Sequence, residues 1–194
     1  MAIIQPKLNN SKELSYIIGT ILGDGWVTKH NYNYVIGLSV TNKVFADEFS
    51  KALRVIGLNP NTTIERLNKK NINWKDRYVV RANSKVFFEW YKKLGMKDIE
   101  KISKKYKPEF IRGFYDSDGS LQHRTINSWR VALYNSNREL IHFVKRTLES
   151  LGFKLSLYSS QRDIRQREYN LTLLGGTEEA KKFMEIIQPT IKII

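Results

Sequence analysis

The sequence predicts an α+β protein made of two pseudo-twofold-related α-β-β-α-β-β-α units. Two short segments carry that reading: Ile17 to Gly25 (IIGTILGDG) and Ile111 to Gly119 (IRGFYDSDG) lie ninety-four residues apart. Each is largely apolar, is broken by a glycine and closes on Asp-Gly. Behind each copy, apolar spacing switches between helical and strand-like periods in the same order. A later stretch repeats independently: Asn42, Phe49, Leu53, Ile56 and Gly57 answer to Asn137, Val144, Leu148, Leu151 and Gly152. Their offset is ninety-five, as a one-residue indel produces. Internal similarity at such a period means paired structural units.

In the first unit, residues 1 to 12 read as a loose leader. Leu14, Ile17, Ile18, Ile21 and Leu22 then recur at helical spacing, with Asn10 or Ser11 to cap the start and Gly23 to Gly25 to end it. Val35 to Val40 is rich in β-formers and follows a polar turn, His30 to Asn33. Phe45, Phe49, Ala52, Leu53 and Ile56 mark a second helix, closed by Gly57. Thr62 to Asn68 and Trp74 to Arg81 read as strands joined by the turn Lys69 to Asn73. Val86, Phe87, Trp90, Tyr91 and Leu94 form the apolar side of a third helix ended by Gly95.

The second unit restarts with a helix over Glu109 to Ser117, with Pro108 in its first turn. Val131 to Tyr134 lies in a strand, and Leu140, Phe143, Val144, Leu148 and Leu151 define a helix closed by Gly152. Leu155 to Ser160 and Tyr169 to Leu174 suggest a strand pair across an Arg-rich turn, 161 to 168. Glu178 to Ile187 is the last helix, stopped by Pro189. The expected division is residues 1–96, a lysine-rich solvated connector over 97–107, and residues 108–194.

Lys and Arg number 33 against 19 Asp and Glu, a formal charge of +14, which favours an extended anionic partner. A basic membrane-surface protein would need a Lys/Arg-rich amphipathic helix or a lipidation signal, and neither is evident. The chain has no cysteine, so disulfides and thiolate metal sites are excluded. With no secretory leader pattern and no apolar run of membrane-spanning length, an intracellular protein is the simple reading, in the cytoplasm or on organellar or nucleoid DNA.

Gly19 and Gly113 each fall six residues before the glycine that closes their segment. A glycine inside a helix costs about 1 kcal/mol against alanine, and close backbone approach of two helices compensates it. Such a crossing brings Asp24 and Asp118 to one centre. An acid gains nothing from the dipole at a helix C-terminus. Bound divalent cations offset both that penalty and the repulsion between neighbouring carboxylates. In a chain this basic, two converging carboxylates point to metal-assisted phosphodiester cleavage. Asp116 has Leu22 as its counterpart, so it is a poor choice for a symmetric role; solvent contact or backbone capping are its plain alternatives.

The two segments, with the element order around them, resemble the LAGLIDADG homing endonucleases of the single-chain type with two motif copies. The resemblance implies paired motif helices at a pseudo-dimer interface and two four-stranded antiparallel sheets forming a DNA-binding saddle. It makes Asp24 and Asp118 the catalytic acids and ligands of Mg²⁺, with Mn²⁺ as a substitute and the backbone of Gly23 and Ser117 completing the protein's ligand set. It further implies a monomer that cuts both DNA strands across the minor groove and leaves 3′ overhangs, free-standing and intron-encoded.

Less uniform polar and basic residues assist such sites. Asn42 resembles one accessory position, with Asn135 or Asn137 as its second-half equivalent; helix capping explains Asn42 and Asn137 equally well. Arg81, ending a strand, resembles a basic accessory position or a phosphate clamp. Sheets with one apolar and one polar face can address a DNA groove. The candidates for DNA contact are Lys29, Tyr32, Arg66, Asn68, Lys70, Lys75, Arg77 and Arg81 on the first sheet. On the second they are Gln122, Arg124, Arg130, Tyr158, Ser160, Arg162, Arg165 and Arg167. Arg, Gln and Asn read base edges, whereas many Lys and Arg contact only phosphate. Unlike side chains in the two halves imply an asymmetric target of roughly 20 base pairs. Two alternatives use the same scaffold: a maturase acting on intron RNA, and a DNA-binding regulator that does not cut.

Overall fold

Ser11 accepts the Leu14 amide at 3.1 Å and so starts the first helix, α1 (Lys12–Leu22). The computed structural model describes residues 5–66, 75–125, 128–163 and 166–194. A hairpin of β1 (Gly25–His30) and β2 (Asn33–Val40) follows, with Asn31 at its tip in a left-handed conformation, φ 52°. Then come α2 (Lys43–Val55), β3 (Asn61–Glu65), β4 (Arg77–Asn83), α3 (Lys85–Tyr91) and α4 (Met96–Ser103). The second unit runs α5 (Lys107–Asp118), β5 (Gly119–Thr125), β6 (Ser128–Asn135) and α6 (Arg138–Ser150), then β7 (Leu155–Asp163), β8 (Gln166–Leu173) and α7 (Gly176–Ile187).

Both sheets are antiparallel and have the same topology, β1-β2-β4-β3 and β5-β6-β8-β7. The duplication extends to the helix ends. Asn42 and Asn137 cap α2 and α6 through their side-chain oxygens. Gly57 (φ 90°) and Gly152 (φ 86°) close the same helices, and the next amides, Leu58 and Phe153, return to the carbonyls of Leu53 and Leu148. These are backbone conformations and bonds that suit a glycine-closed helix.

Alternation along the strands sorts each sheet into two faces. In the first, Val27, Ile36 and Ala82 lie in register and are buried against Phe45, Phe49 and Phe87. In the second, Val131, Leu133 and Leu171 are buried against Phe110, Phe114, Val144 and Phe183. The opposite faces carry Trp26, Thr28, Arg77 and Arg81 in one sheet and Gln122, Arg130, Tyr134 and Tyr158 in the other.

Several expectations change. The connector is not a solvated link: α4 buries Ile99 in the second core and Ile102 in the first. Its lysines lie outside those two apolar positions. Gly95 does not end the third helix, which stops at Tyr91; it begins α4, where the Asp98 carboxylate accepts the Gly95 amide at 3.0 Å. The leader is not wholly loose: Pro6 is buried, and the Lys7 amide donates to Ile56 O at 2.7 Å. Strands β7 and β8 extend through most of the stretch expected as an Arg-rich turn, because Gln161 and Arg167 still pair. No helix among the described residues is long and apolar enough to cross a membrane.

Candidate active site

Helices α1 and α5 cross with their glycines against each other's backbone. A Cβ on Gly19 would lie 2.2 Å from Phe110 O, and one on Gly113 would lie 2.2 Å from Tyr16 O. Any larger residue must push the helices apart. The close approach continues to the helix ends, where a Cβ on Gly23 would lie 2.3 Å from Ser117 Cβ and 3.4 Å from Asp118 Cγ. The crossing therefore delivers Asp24 and Asp118 to one place, as the two glycine-broken segments predict. The interface is tightened nearby by Arg112 of α5, which donates to Glu48 of α2 at 2.7 Å and lies over the Tyr16 ring.

The two acids meet different surroundings. Asp118 is half-buried and accepts from Asn135 Nδ2 at 2.5 Å, while Asn135 Oδ1 accepts the Asn137 amide at 2.8 Å. Burial pushes the Asp118 carboxyl up to about 6; the Asn135 bond opposes this, and the Asp24 charge adds to it. Asp24 reaches solvent, yet the surrounding protein still raises its carboxyl above the usual range, with Lys192 opposing. Asp24, Ser39, Asn42, Arg77, Ser117 and Lys192 line one open cavity of about 380 Å³.

A segment outside the repeat contributes Ile191 and Lys192 to the wall of this cavity. Buried Asp116 accepts the amides of Thr190 and Ile191 through Oδ1, at 2.9 and 3.3 Å, and Tyr16 donates to its other oxygen at 3.4 Å. Tyr115 donates its hydroxyl to Lys192 O at 3.0 Å. Lys192 Nζ then donates to the carbonyls of Tyr115, Asp116 and Ser117, at 3.2, 2.8 and 3.0 Å. Burial holds this ammonium below the ordinary lysine value, against the pull of Asp116, Asp24 and Asp118. Of the alternatives for Asp116, backbone capping is the one observed. Sequence reasoning missed Lys192, which has no repeat partner; its signal was the unmatched acid of the second motif.

The accessory candidates separate. Asn135 touches Asp118 directly. Asn42 lines the cavity, but its side-chain oxygen is taken by the amides of Val44 and Phe45. Arg81 lies in mid-strand opposite Gly37 and Asn61 and is not among the residues that line the cavity with Asp24. It is the start of β4, and so Arg77, that meets the cavity beside Asp24. Strand direction explains the correction: β4 runs antiparallel to β2, whose far end approaches the acids.

On the first sheet, Lys29 shares its parity with Val27 on the helix-packed side, and its ammonium lies 5.4 Å from the Tyr34 ring centre. That removes it from the outer face. Tyr32 is 96% exposed at the hairpin tip, and Arg66 and Lys75 are exposed beside β3 and β4. On the second sheet, Gln122, Arg130, Tyr158 and Ser160 occupy the outer face, and Gln122 donates to the Tyr134 hydroxyl at 2.5 Å. Arg167 is exposed but has the opposite parity, paired with Gln161. Asn68, Lys70 and Arg165, and the side chains of Arg124 and Arg162, lie outside the described residues. Trp26, Thr28 and Tyr134 join the outer faces without having been singled out in the sequence. Their alternation with apolar neighbours was the available signal.

The donor set fits a hard cation. Ser117, which lines the cavity with Asp24 and directly precedes Asp118, has a carbonyl that already holds a positive group, the Lys192 ammonium. Among the described residues, no three His, Asp or Glu side chains gather to hold an ion. Two carboxylates with backbone oxygen leave room for water and phosphate, the mixed coordination Mg²⁺ retains.

Comparison with known proteins agrees with this arrangement. The model of the LAGLIDADG-like domain matches twice, over residues 11–93 and 105–188. An uncharacterized protein of Methanocaldococcus jannaschii is 40% identical over 157 residues, covering 78% of this chain and 59% of that protein. A second protein of the same organism is covered over 54% of its length, so the chain spans under two thirds of these relatives. The homing endonuclease I-DmoI of Desulfurococcus mucosus is 25% identical over 161 residues, 78% of each chain. The structure of I-DmoI in complex with DNA and Mn shares the fold, with a TM-score of 0.65 at 20% identity over 92% of this chain and 97% of that one. With two matched copies of the domain in one polypeptide, the chain belongs to the LAGLIDADG family.

Proposed function

We propose that this chain is a divalent-metal-dependent endonuclease that cuts both strands of a long, asymmetric DNA site and leaves 3′ overhangs. Its role is that of an intron-encoded homing enzyme acting as a monomer. The observation that carries the reading is the pairing of Asp24 and Asp118 at the end of one tight helix crossing, beside the polar faces of two like sheets. Arg77 and Ser39 bring the first outer face to the cavity, and Glu168 acts electrostatically on Asp118 from the second.

Asp24, Asp118 and the Ser117 and Gly23 carbonyls are the groups that would hold the ion. Bound Mg²⁺, or Mn²⁺ in its place, supplies Lewis-acid charge to a phosphoryl centre and its leaving oxygen. Asn135 fixes the orientation of Asp118, so one oxygen faces Nδ2 and the other remains for the site. Arg77 places a fixed positive charge on the wall of the cavity that Asp24 lines, where a DNA phosphate approaches. Outer-face Gln122 and Arg130 supply base-edge donors, while Tyr158 adds an aromatic surface. Binding should weaken steeply as salt rises.

The test is a circular DNA library with randomised inserts of ~24 base pairs, incubated with Mg²⁺ at low salt, followed by sequencing of every new end. The reading expects one asymmetric consensus with matched 3′ overhangs, abolished by EDTA. Specific retention of DNA without cutting overturns it in favour of a regulator; RNA binding in place of DNA binding favours a maturase.

A further inference from the structure

Three features of the segment after α7 point to one role. Asp116 and Tyr115 tie the segment to the end of α5 through its backbone. The Lys192 ammonium then lands on three consecutive carbonyls. One of these, Ser117 O, belongs to a residue that lines the cavity with Asp24 and directly precedes Asp118. An ammonium has three donors, and here each has a carbonyl partner. None remains to protonate a leaving group or to bind phosphate. The group therefore acts through its charge and through the oxygen it occupies.

We propose that Lys192 is a resident cation of the catalytic centre, which counters the Asp24–Asp118 charge in the metal-free protein and competes with a divalent ion at the Ser117 carbonyl. The proposal rests on the reading of Asp24 and Asp118 as the metal-holding acids. Competition at a shared oxygen is reciprocal, so ion binding loosens the hold on Lys192 by the same factor that Lys192 weakens ion binding. The repeat supports the assignment: Leu22, the first-motif counterpart of Asp116, is an apolar residue packed against the second core. Only the second motif is built to anchor this segment.

The experiment titrates Mn²⁺ alone, without DNA, into the full chain and reads free Mn²⁺ by electron paramagnetic resonance. Wild type, Lys192→Met, Lys192→Arg, and the pair Asp24→Asn and Asp118→Asn are compared, each shown folded by circular dichroism. Lys192→Met should tighten Mn²⁺ binding about tenfold, the scale of one charge acting on a divalent ion in a half-solvated site. It should also lower the melting temperature in EDTA, because three carbonyls at a helix end lose their donor. Lys192→Arg keeps the charge and should stay within about threefold of wild type. Unchanged or weaker Mn²⁺ binding in Lys192→Met overturns the competition. Weaker binding would make Lys192 a scaffold for the site instead. Mn²⁺ binding that survives both Asp→Asn changes overturns the metal-site reading itself, and the proposal with it.

Discussion

Beside Asp24 the strands place Val40 and Arg77, whereas beside Asp118 they place Asn135 and Glu168; the Lys192 ammonium acts on both acids. These are equivalent places. Gly25 pairs with Leu38 and Gly119 with Leu133, so Val40 and Asn135 each lie two residues beyond the same register point. Leu38 pairs with Val80 and Leu133 with Leu171, which puts Arg77 and Glu168 at one position too. The helix crossing itself is symmetric to the ångström, with 2.2 Å at both Gly19 and Gly113. Backbone geometry thus kept its twofold relation while the side chains beside the acids diverged, and an apolar, basic wall faces a polar, acidic one. The two acids differ in burial, partner and proton affinity, so they are unequal participants in one site.

The symmetric part should fail symmetrically. Gly19→Ala and Gly113→Ala should each destabilise the protein by about 2–3 kcal/mol, since the added methyl meets backbone and not a movable side chain. Urea unfolding of both variants measures this. A loss confined to one of them would break the equivalence of the crossing.

The asymmetric part should appear in pH dependence. Asp118 has its carboxyl raised from 3.8 to about 6, mainly by burial, so the metal-free native state favours the protonated form. Ionised Asp118 therefore destabilises the protein above pH 6, and the penalty fades as pH falls from about 6 through 3.8. Asp118→Asn should stabilise the metal-free protein by about 2 kcal/mol at pH 7.5 and by nothing at pH 3.5. Asp24→Asn should give a smaller gain of the same sign, because Asp24 is more exposed. Thermal melts in EDTA across that range compare them. Equal gains would remove the distinction between the acids.

The smallest effect sharpens the cause. Asn135→Val copies the first half's residue into the second and removes the bond to Asp118. Its loss costs about 1 kcal/mol at neutral pH. It should also move the Asp118 titration upward, which carbon NMR of the carboxyl reads directly. A downward shift would mean that Asn135 is not what holds the ionised form.

The symmetric features were the ones legible in the sequence. Gly19 and Gly113 weaken a helix locally, which makes sense only if something packs against them, and Gly57 and Gly152 close helices by a local rule. Asp24 and Asp118 follow from their places behind those glycines. What was not legible depends on three-dimensional direction. Arg81 was favoured over Arg77 because sequence does not say which end of β4 faces the acids. Lys29 reads as part of the outer face, but alternation from Val27 puts it on the opposite side, near Tyr34. The segment 97–107 looked solvated because five lysines conceal two apolar positions, Ile99 and Ile102, which face different cores. Lys192 obeys no repeat, and only the fold brings it to Ser117.

The most direct test follows each strand of the selected DNA site separately, with wild type, Asp24→Asn and Asp118→Asn in Mn²⁺. If the two acids form one metal-dependent centre, wild type breaks both strands and neither variant yields a double-strand break, leaving at most nicks. A complete double-strand break by either variant, or by wild type in EDTA, would contradict the account.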